Sequence, residues 1–173
     1  MTMPRELLIL RHAKSSWDSD ARTDFERPLA KRGRKAAPRV GRWLKQQSLV
    51  PDYVVSSPAE RAKQTVIAVC GQVDFPPEQI NWDSRIYGGG TTALVSVLRE
   101  SPADAQRVLI AGHNPGLEIL VQYLCEDSVS FPHDGKLMPT AAVAHLELAS
   151  EWEDLGRGLA RLQSLTRARS LID

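Results

Sequence analysis

Two histidines and two arginines of this sequence each follow a short apolar run of the kind that forms a buried strand. They are Arg11, His12, Arg61 and His113. Because ligands of an open parallel α/β sheet bind beyond the carboxyl ends of the strands, we expect these four side chains to converge on one point. Two guanidinium groups and two imidazoles at one point favour an anion as the ligand, and phosphate is its natural form.

A site of this composition is suited to transferring a phosphoryl group. The transferred group carries its charge on three peripheral oxygens, so the site needs fixed cations around them and a nucleophile in line with the leaving group. Arg11, Arg61 and His113 are the candidate cations, and an arginine fork grips two phosphate oxygens at once. Helices predicted to begin near Ser57 and Asn114 would add backbone N–H donors and the positive ends of their dipoles. The predicted phosphate cradle therefore needs neither a metal nor a cofactor.

His12 is the candidate nucleophile. It follows a predicted strand directly, and the charge of the neighbouring Arg11 should lower the pKa of its imidazole and keep the ring neutral near pH 7. A neutral imidazole can attack phosphorus, which predicts a phosphohistidine enzyme intermediate that water then hydrolyses. Which ring nitrogen attacks depends on the group that holds the other nitrogen, and the sequence leaves that group open.

Short apolar runs alternate with amphipathic segments along the chain and predict the sheet that positions these residues. Their order indicates an α/β fold, a three-layer α/β/α sandwich with a mostly parallel central sheet. Ser57–Glu60 has the form of a capping box with Ser57 as the N-cap, and Asn114–Pro115 repeats the pattern of a cap followed by proline. Lys14–Pro28 is predicted to be a long active-site loop. Pro38 should kink the helix that follows or mark its first turn.

The remaining segments complete the predicted domain. They are a short strand within Gln79–Trp82, a helix that ends before Pro102, a loop over Asp127–Pro139, a strand over Ala141–Leu148 and a last strand or short helix over Leu159–Leu165. No repeat or linker interrupts this pattern, and 42% of the residues are hydrophobic. We therefore expect residues 1–173 to form one domain with one core.

The overall composition narrows the partners and the location. The formal net charge is +1, so we expect neither nucleic acid nor a membrane as a partner, since both call for a basic face. Cys70 and Cys125 have no CxxC or Cys/His spacing and are predicted to be buried, reduced thiols. With no segment of signal-peptide or transmembrane type, the expected location is the cytoplasm.

Three stretches of the sequence resemble the signatures of the histidine phosphatase superfamily. They are Arg11–Ser15, Ser56–Thr65 and Gly112–Pro115. Within that superfamily, the stretch from Arg11 to Leu44 is similar to the small SixA-type phosphohistidine phosphatases. The resemblance implies a phosphoglycerate mutase-like fold and a hydrolase that acts in signal transduction.

The same resemblance implies roles for individual residues and a class of substrate. It makes His12 the phosphate acceptor and Arg11, Arg61 and His113 the phosphate ligands. Ser15 stands like the hydroxyl residue of the first signature and would also contact phosphate. The implied partners are a phosphohistidine-bearing protein as substrate and a phosphate ion in the pocket.

The sequence departs from the superfamily pattern in two places. Ala13 stands where glycine usually follows the first histidine, a change that is also typical of the small SixA-type members. Larger relatives such as the phosphoglycerate mutases carry a carboxylate general acid in the loop after the third strand, and no carboxylate clearly occupies that position here. Asp83 and Glu118 are the nearest candidates, although both, like Asp18, have the simpler interpretation of surface carboxylates.

A missing acid favours a phosphohistidine substrate. An alkoxide leaving group gains about 10²–10⁴-fold from a positioned acid, whereas a phosphorylated imidazole leaves more easily because its nitrogen is protonated near neutral pH. Two alternatives stay open. One is a phosphatase for small phosphate esters that uses Asp83 or Glu118 as the acid, and the other is a non-catalytic module that binds a phosphorylated ligand.

Three further features have simple structural interpretations. The predicted N-cap position explains Ser57 without any role in the site. The basic cluster Lys31–Lys35 is either a solvated helix start or a contact for an acidic partner. Trp17 either packs the active-site loop down or lines the substrate entrance.

Overall fold

The fold is built on a mixed β-sheet at the centre of the molecule. A computed structural model describes residues 3–126, 129–130, 132 and 134–171. The strands within these residues are β1 (Glu6–Arg11), β2 (Tyr53–Ser56), β3 (Asn81–Trp82), β4 (Arg107–Gly112), β5 (Val143–Leu148) and β6 (Ala160–Thr166). Their order across the sheet is β3-β2-β4-β1-β5-β6. β1 to β4 are parallel to one another, and β5 is antiparallel to both of its neighbours.

Helices cover both faces of this sheet. They are α1 (Lys31–Gln46), α2 (Glu60–Gln72), α3 (Thr91–Arg99) and α4 (Gly116–Cys125). α1 and α2 bury their apolar residues in one core cluster, and α3 and α4 bury theirs in a second cluster on the opposite face. The predicted three-layer α/β/α sandwich with a mostly parallel sheet is confirmed.

The uninterrupted apolar run in β1, Leu7–Leu10, is explained by burial on both faces of the sheet. Leu7 and Ile9 point into the cluster with α3 and α4, whereas Leu8 and Leu10 point into the cluster with α1 and α2. Successive side chains of a strand face opposite sides of the sheet, so a central strand that is covered on both faces cannot alternate with polar residues. All four side chains are fully buried.

The carboxyl ends of β1, β4 and β2 lie side by side. Arg11 of β1 is paired with Gly112 of β4, and Ser56 of β2 is paired with Ala111 of β4. The residue that follows each strand therefore stands beside the residues that follow its neighbours. This register brings His12, Ser57 and His113 to one edge of the sheet.

Several local predictions agree with the structure. A two-residue strand lies within the predicted segment Gln79–Trp82, and the segment Leu159–Leu165 forms a strand rather than a helix. α3 ends at Arg99, before Pro102. Pro38 lies in the interior of α1, so it does not mark the first turn. Of the predicted loop 127–139, Asp127, Ser128, Phe131 and His133 lie outside the described residues.

The two predicted helix caps are wrong. α2 begins at Glu60 with Ala59 as its N-cap, and the Ser57 hydroxyl accepts from the Ala59 N–H instead of capping the helix. α4 begins at Gly116 with Pro115 as its N-cap, and no side chain caps it. The physical reason is that both side chains form other hydrogen bonds. Ser57 is bonded to the His113 ring, and the Asn114 amide donates to the Met138 carbonyl.

The two cysteines are buried and unbridged. Burial raises the pKa of the Cys70 thiol to about 12, so this thiol is unreactive at neutral pH. Among the helices of the described residues, none combines the length and the apolar character that crossing a membrane requires.

Candidate active site

The structure brings the four predicted site residues together at the carboxyl edge of the sheet. The imidazole ring centroids of His12 and His113 lie 5.2 Å apart. The charges of Arg11 and Arg61 act on both imidazoles. The His12 N–H donates to the Gly112 carbonyl, which fixes the end of β1 against the end of β4. Two guanidinium groups and two imidazoles therefore lie close enough to interact electrostatically with one another.

The ring of His12 is held in one tautomer. Its Nδ1 lies 2.7 Å from the Ala13 carbonyl oxygen. A carbonyl oxygen can only accept, so Nδ1 carries the proton and Nε2 presents its lone pair. Burial, with a smaller contribution from the nearby guanidinium groups that include Arg11, lowers the pKa of His12 to about 4. The predicted neutral imidazole is present, although burial is a larger cause than Arg11.

Thr65 connects the strand that carries His12 to the helix that carries Arg61. Its hydroxyl accepts from the Ala13 N–H at 2.9 Å and donates to the Arg61 carbonyl at 2.7 Å. The Thr65 side chain is fully buried, so these hydrogen bonds are shielded from water. The distance between the candidate nucleophile and the first turn of α2 is thereby fixed.

His113 is oriented by Ser57, a contact that the sequence analysis missed. The His113 Nε2 lies 2.8 Å from the Ser57 hydroxyl, and the ring centroids of Tyr87 and His113 lie 5.5 Å apart in a T-shaped arrangement. Burial, followed by the charges of His12 and Arg61, lowers the pKa of His113 to about 3. His113 is therefore neutral at pH 7. Its role as a cation stays a prediction, which requires that a bound anion raise this pKa.

Arg11 is anchored on the side of the pocket that faces α4. Its Nη1 donates to the Met138 carbonyl at 3.0 Å. The same carbonyl accepts from the side-chain amide of Asn114 at 2.7 Å. Met138 therefore ties the end of β1 to the residues that precede α4, which keeps the Arg11 guanidinium at the rim of the pocket.

Arg61 is bound by the loop that follows β1, which sequence reasoning did not foresee. Its Nη2 donates to the Asp24 carboxylate at 2.9 Å, and its Nη1 donates to the Asp24 carbonyl at 2.7 Å. Tyr87 and Arg27 donate to the same carboxylate at 2.9 Å and 2.7 Å. Burial alone would raise the pKa of Asp24, but the hydrogen bonds from Tyr87, Arg61 and Arg27 lower it to about 2. Asp24 is thus a carboxylate at neutral pH.

A sequence signal for Asp24 did exist. Thr23 caps a short 3₁₀ helix, Asp24–Glu26, and the side chains of Asp24 and Arg27 are spaced by three residues. This spacing gives an ion pair within the predicted active-site loop. The contact with Arg61 spans 37 positions of the chain and has no local signal.

The first half of the loop packs against α1 and Arg27. The hydroxyl of Ser15 accepts from Arg27, so Ser15 holds the loop in place. Its contact with phosphate stays a prediction. Trp17 is 75% exposed, and the Arg27 guanidinium lies 3.5 Å from the centre of its ring. A side chain at Gly33 would meet the Lys14 carbonyl at 2.2 Å, so the loop passes directly over the first turn of α1.

The two candidate acids have other partners. Asp83 accepts from the Arg85 side chain at 2.7 Å and 3.0 Å, and these hydrogen bonds lower the pKa of its carboxyl. Glu118 accepts from the Asn114 amide at 3.2 Å and lies near Arg11. Among the described residues, neither carboxylate hydrogen-bonds to His12 or His113, and these residues hold no group of three potential metal ligands.

Sequence comparison relates the chain to a known group of enzymes. The model of the histidine phosphatase superfamily (branch 1) matches residues 7–83. Rv1276c, an uncharacterized protein of Mycobacterium tuberculosis, is 31% identical over 157 residues, which cover 88% of this chain and 96% of Rv1276c. The chain belongs to the histidine phosphatase superfamily.

Solved structures of other histidine phosphatases share this fold. A SixA-type candidate phosphohistidine phosphatase from Nakamurella multipartitia has a TM-score of 0.81 at 29% identity, covering 96% of this chain and 97% of that chain. The protein histidine phosphatase SixA in complex with tungstate has a TM-score of 0.80 at 23% identity, covering 95% and 98%. At that lower identity the likeness concerns the fold alone. The expected phosphoglycerate mutase-like architecture is confirmed.

Proposed function

We propose that this histidine phosphatase hydrolyses phosphohistidine on a protein through a covalent phospho-His12 intermediate. One observation carries the proposal: the Ala13 carbonyl holds Nδ1 of His12, which leaves a neutral ring with Nε2 free to attack. The nucleophile sits beside Arg11 and Arg61, whose charge suits a phosphoryl group.

The reaction proceeds in two steps. In the first, the lone pair of His12 Nε2 forms a bond to phosphorus, and the bond between phosphorus and the substrate imidazole breaks. Arg11 and Arg61 hold the phosphoryl oxygens, and His113 gains a proton as the anion enters. In the second, water attacks the phosphorus on His12, releases inorganic phosphate and restores the neutral ring. The substrate imidazole carries a proton on its other ring nitrogen, so it takes the electron pair of the broken bond, leaves as a neutral ring and needs no positioned acid.

The carboxylates around the site support a substrate with a P–N bond. Asp83 is held by Arg85, and Asp24 is ionised at neutral pH with a pKa of about 2. An ionised carboxylate cannot donate a proton to an alkoxide leaving group. Phosphohistidine does not need that proton from the enzyme. The SixA-type relative from Nakamurella multipartitia bears the same assignment of substrate class, as a candidate phosphohistidine phosphatase.

Release of phosphate from two substrates tests the proposal. One substrate is a phosphohistidine-bearing protein and the other is an aryl phosphate, both assayed in EDTA. His12→Ala removes the nucleophile, and His145→Gln is the matched control, because His145 contacts Glu6 at the opposite end of β1. We expect the phosphohistidine to be cleaved far faster, the first variant to be inactive and the control to be active.

The other outcomes overturn the proposal. If the aryl ester is preferred and replacement of Asp83 or Glu118 lowers its kcat strongly, the protein is a phosphatase for small esters. If phosphate binds but neither substrate turns over, the protein is a binding module. An active His12→Ala variant would exclude the phospho-His12 intermediate.

A further inference from the structure

A basic cleft opens directly beside the candidate active site. It has a volume of about 570 Å³ and lies between α1, the segment before β5 and the segment after β6. Its cationic side chains are Arg11, Lys14, Arg32, Arg39, Lys136, Arg167 and Arg169, and its carboxylates are Glu118 and Asp134. Seven positive and two negative groups give the lining a formal charge of +5, whereas the whole chain carries +1. Positive charge is therefore concentrated on this face.

Arg11 belongs to both the site and the cleft. Its guanidinium is held by the Met138 carbonyl, and Met138 also lines the cleft. A phosphoryl group bound near His12 would therefore lie at the inner end of the cleft. The cleft is therefore close enough to the reacting phosphorus for another part of the same substrate to occupy it.

The two carboxylates of the cleft offset only part of its positive charge. Asp134 accepts from Arg167 at 2.7 Å and from the Lys136 N–H at 3.0 Å, and these hydrogen bonds lower the pKa of its carboxyl. Glu118 is turned toward the Asn114 amide. Arg169 keeps 74% of its side chain exposed and contacts Asp134 only at 3.5 Å. Arg32 is exposed on the first turn of α1, so both arginines can reach a ligand.

The shape of this surface fits an extended polypeptide segment rather than a compact small molecule. A second, shallow depression of about 520 Å³ shares Asp134 and Arg167 with the cleft and continues outward past Leu165 and Ser170. Small molecules bind in concave sites that enclose most of their surface. The cleft and the depression instead meet at Asp134 and Arg167 and together extend away from Arg11. We call the cleft and this depression the basic trough.

We propose that the basic trough binds an acidic segment of the substrate protein, in which Asp or Glu residues flank the phosphohistidine. This inference rests on the proposed function, and it adds the chemistry by which the partner is chosen. Complementary charge across an interface raises the association rate and disfavours partners of the wrong charge. Binding of an acidic segment also gives a role to Arg32, which lines the cleft but takes no part in the proposed reaction.

Peptide substrates test the inference. We would compare a phosphohistidine peptide with flanking Asp and Glu, the same peptide with Asn and Gln, and free phosphohistidine. The double variant Arg32→Glu/Arg169→Glu reverses charge in the trough. Arg161→Glu is the matched control, because Arg161 is exposed on β6 and does not line the trough.

For the unmodified protein we expect kcat/KM to be about tenfold higher for the acidic peptide than for the neutral one, and to fall as salt increases. The double variant should lose this preference, and the control should keep it. Turnover of free phosphohistidine should be equal in all three proteins.

Other results would overturn the inference, and they distinguish its failure from a failure of the proposed function. Equal cleavage of both peptides by a His12-dependent reaction would exclude the acidic segment and retain the phosphatase. If small bisphosphorylated compounds are cleaved in preference to the peptides, and the double variant loses this preference, the trough is a subsite for small anions. If no phosphohistidine is cleaved, the proposed function fails, and fluorescence anisotropy with the unphosphorylated acidic peptide still tests docking. No binding in that assay would also overturn the inference.

Discussion

Asp24 and Arg61 join the loop after β1 to the first turn of α2 through both the carboxylate and the carbonyl of Asp24. The two contacts measure 2.9 Å and 2.7 Å. The guanidinium that we propose to hold a phosphoryl group is therefore engaged by a carboxylate of the chain itself. The conformation of the loop and the charge of the pocket are coupled through this pair.

Removing the charge of Asp24 should strengthen anion binding. Asp24→Asn keeps an oxygen that can accept from Arg61 but makes the pocket one charge more positive. Because half of the Asp24 side chain is exposed, the effect should be modest, with the inhibition constant for phosphate or tungstate falling about 3- to 10-fold. Asp74→Asn, in a surface pair with Lys45, is the control. Unchanged or weaker inhibition in Asp24→Asn would show that Asp24 does not compete with the ligand.

Ser57 should support catalysis by holding the His113 ring. Ser57→Ala removes the hydroxyl that lies 2.8 Å from Nε2. Loss of the hydrogen bond to His113, worth about 0.5–1.5 kcal/mol, should lower kcat about 2- to 13-fold, while loss of the bond from the Ala59 N–H should act on stability. Ser101→Ala is the matched control, because Ser101 is also buried and its hydroxyl has no hydrogen-bond partner among the described residues. Equal kcat values for the two variants would contradict this role.

Thr65 should contribute to stability through its buried hydroxyl. Thr65→Val keeps the shape of the side chain but leaves the Ala13 N–H without its partner. Leaving a buried donor unpaired costs about 1–3 kcal/mol, which urea unfolding would measure as a loss in the free energy of unfolding. Thr65→Ser retains the hydroxyl and should lose less. A Thr65→Val protein as stable as the unmodified one would exclude this contribution.

The two active-site histidines should titrate far below the ordinary imidazole range. Their pKa values are about 4 for His12 and about 3 for His113, against 6.5 for an exposed ring. Below pH 6.5 the two rings are protonated in the unfolded chain but stay neutral in the folded protein. The contribution of these histidines to the free energy of unfolding is therefore constant above pH 6.5 and decreases as the pH falls toward 4. NMR titration of the ring resonances checks the values directly. A midpoint near pH 6.5 for either ring would contradict the account.

Saturating phosphate should reverse part of this shift. An anion between the rings favours the charged form of His113, so its pKa should rise when phosphate is added. No change in the His113 resonance on addition of phosphate would mean that this ring does not contact the anion.

The sequence was a good guide to the strands and to the residues at their ends. The uninterrupted apolar run before Arg11 predicted a central strand, and the position of His12 and His113 after parallel strands predicted their convergence. Both depend on regular geometry, in which neighbouring parallel strands end at the same edge. The register between β1 and β4 fulfils this condition.

The contacts that tune the site were not predictable in the same way. Ser57 has the local pattern of an N-cap, but its hydroxyl forms a hydrogen bond with His113, which directly follows the neighbouring strand β4. Asp24 lies in an irregular loop, and its contact with Arg61 depends on how that loop folds over α2. The tautomer of His12 follows from the direction of one carbonyl, that of Ala13. Such contacts depend on tertiary placement, which no periodicity encodes.

Trapping the phosphoenzyme tests the central claim most directly. The protein is mixed with a phosphohistidine-bearing protein, stopped in base, which preserves phosphohistidine, and analysed by peptide mass spectrometry and ³¹P NMR. The account predicts a single phosphoryl group on Nε2 of His12, absent from His12→Ala and released as phosphate with time. Turnover without a phosphoenzyme, or a phosphoryl group on any other residue or on Nδ1, would contradict it.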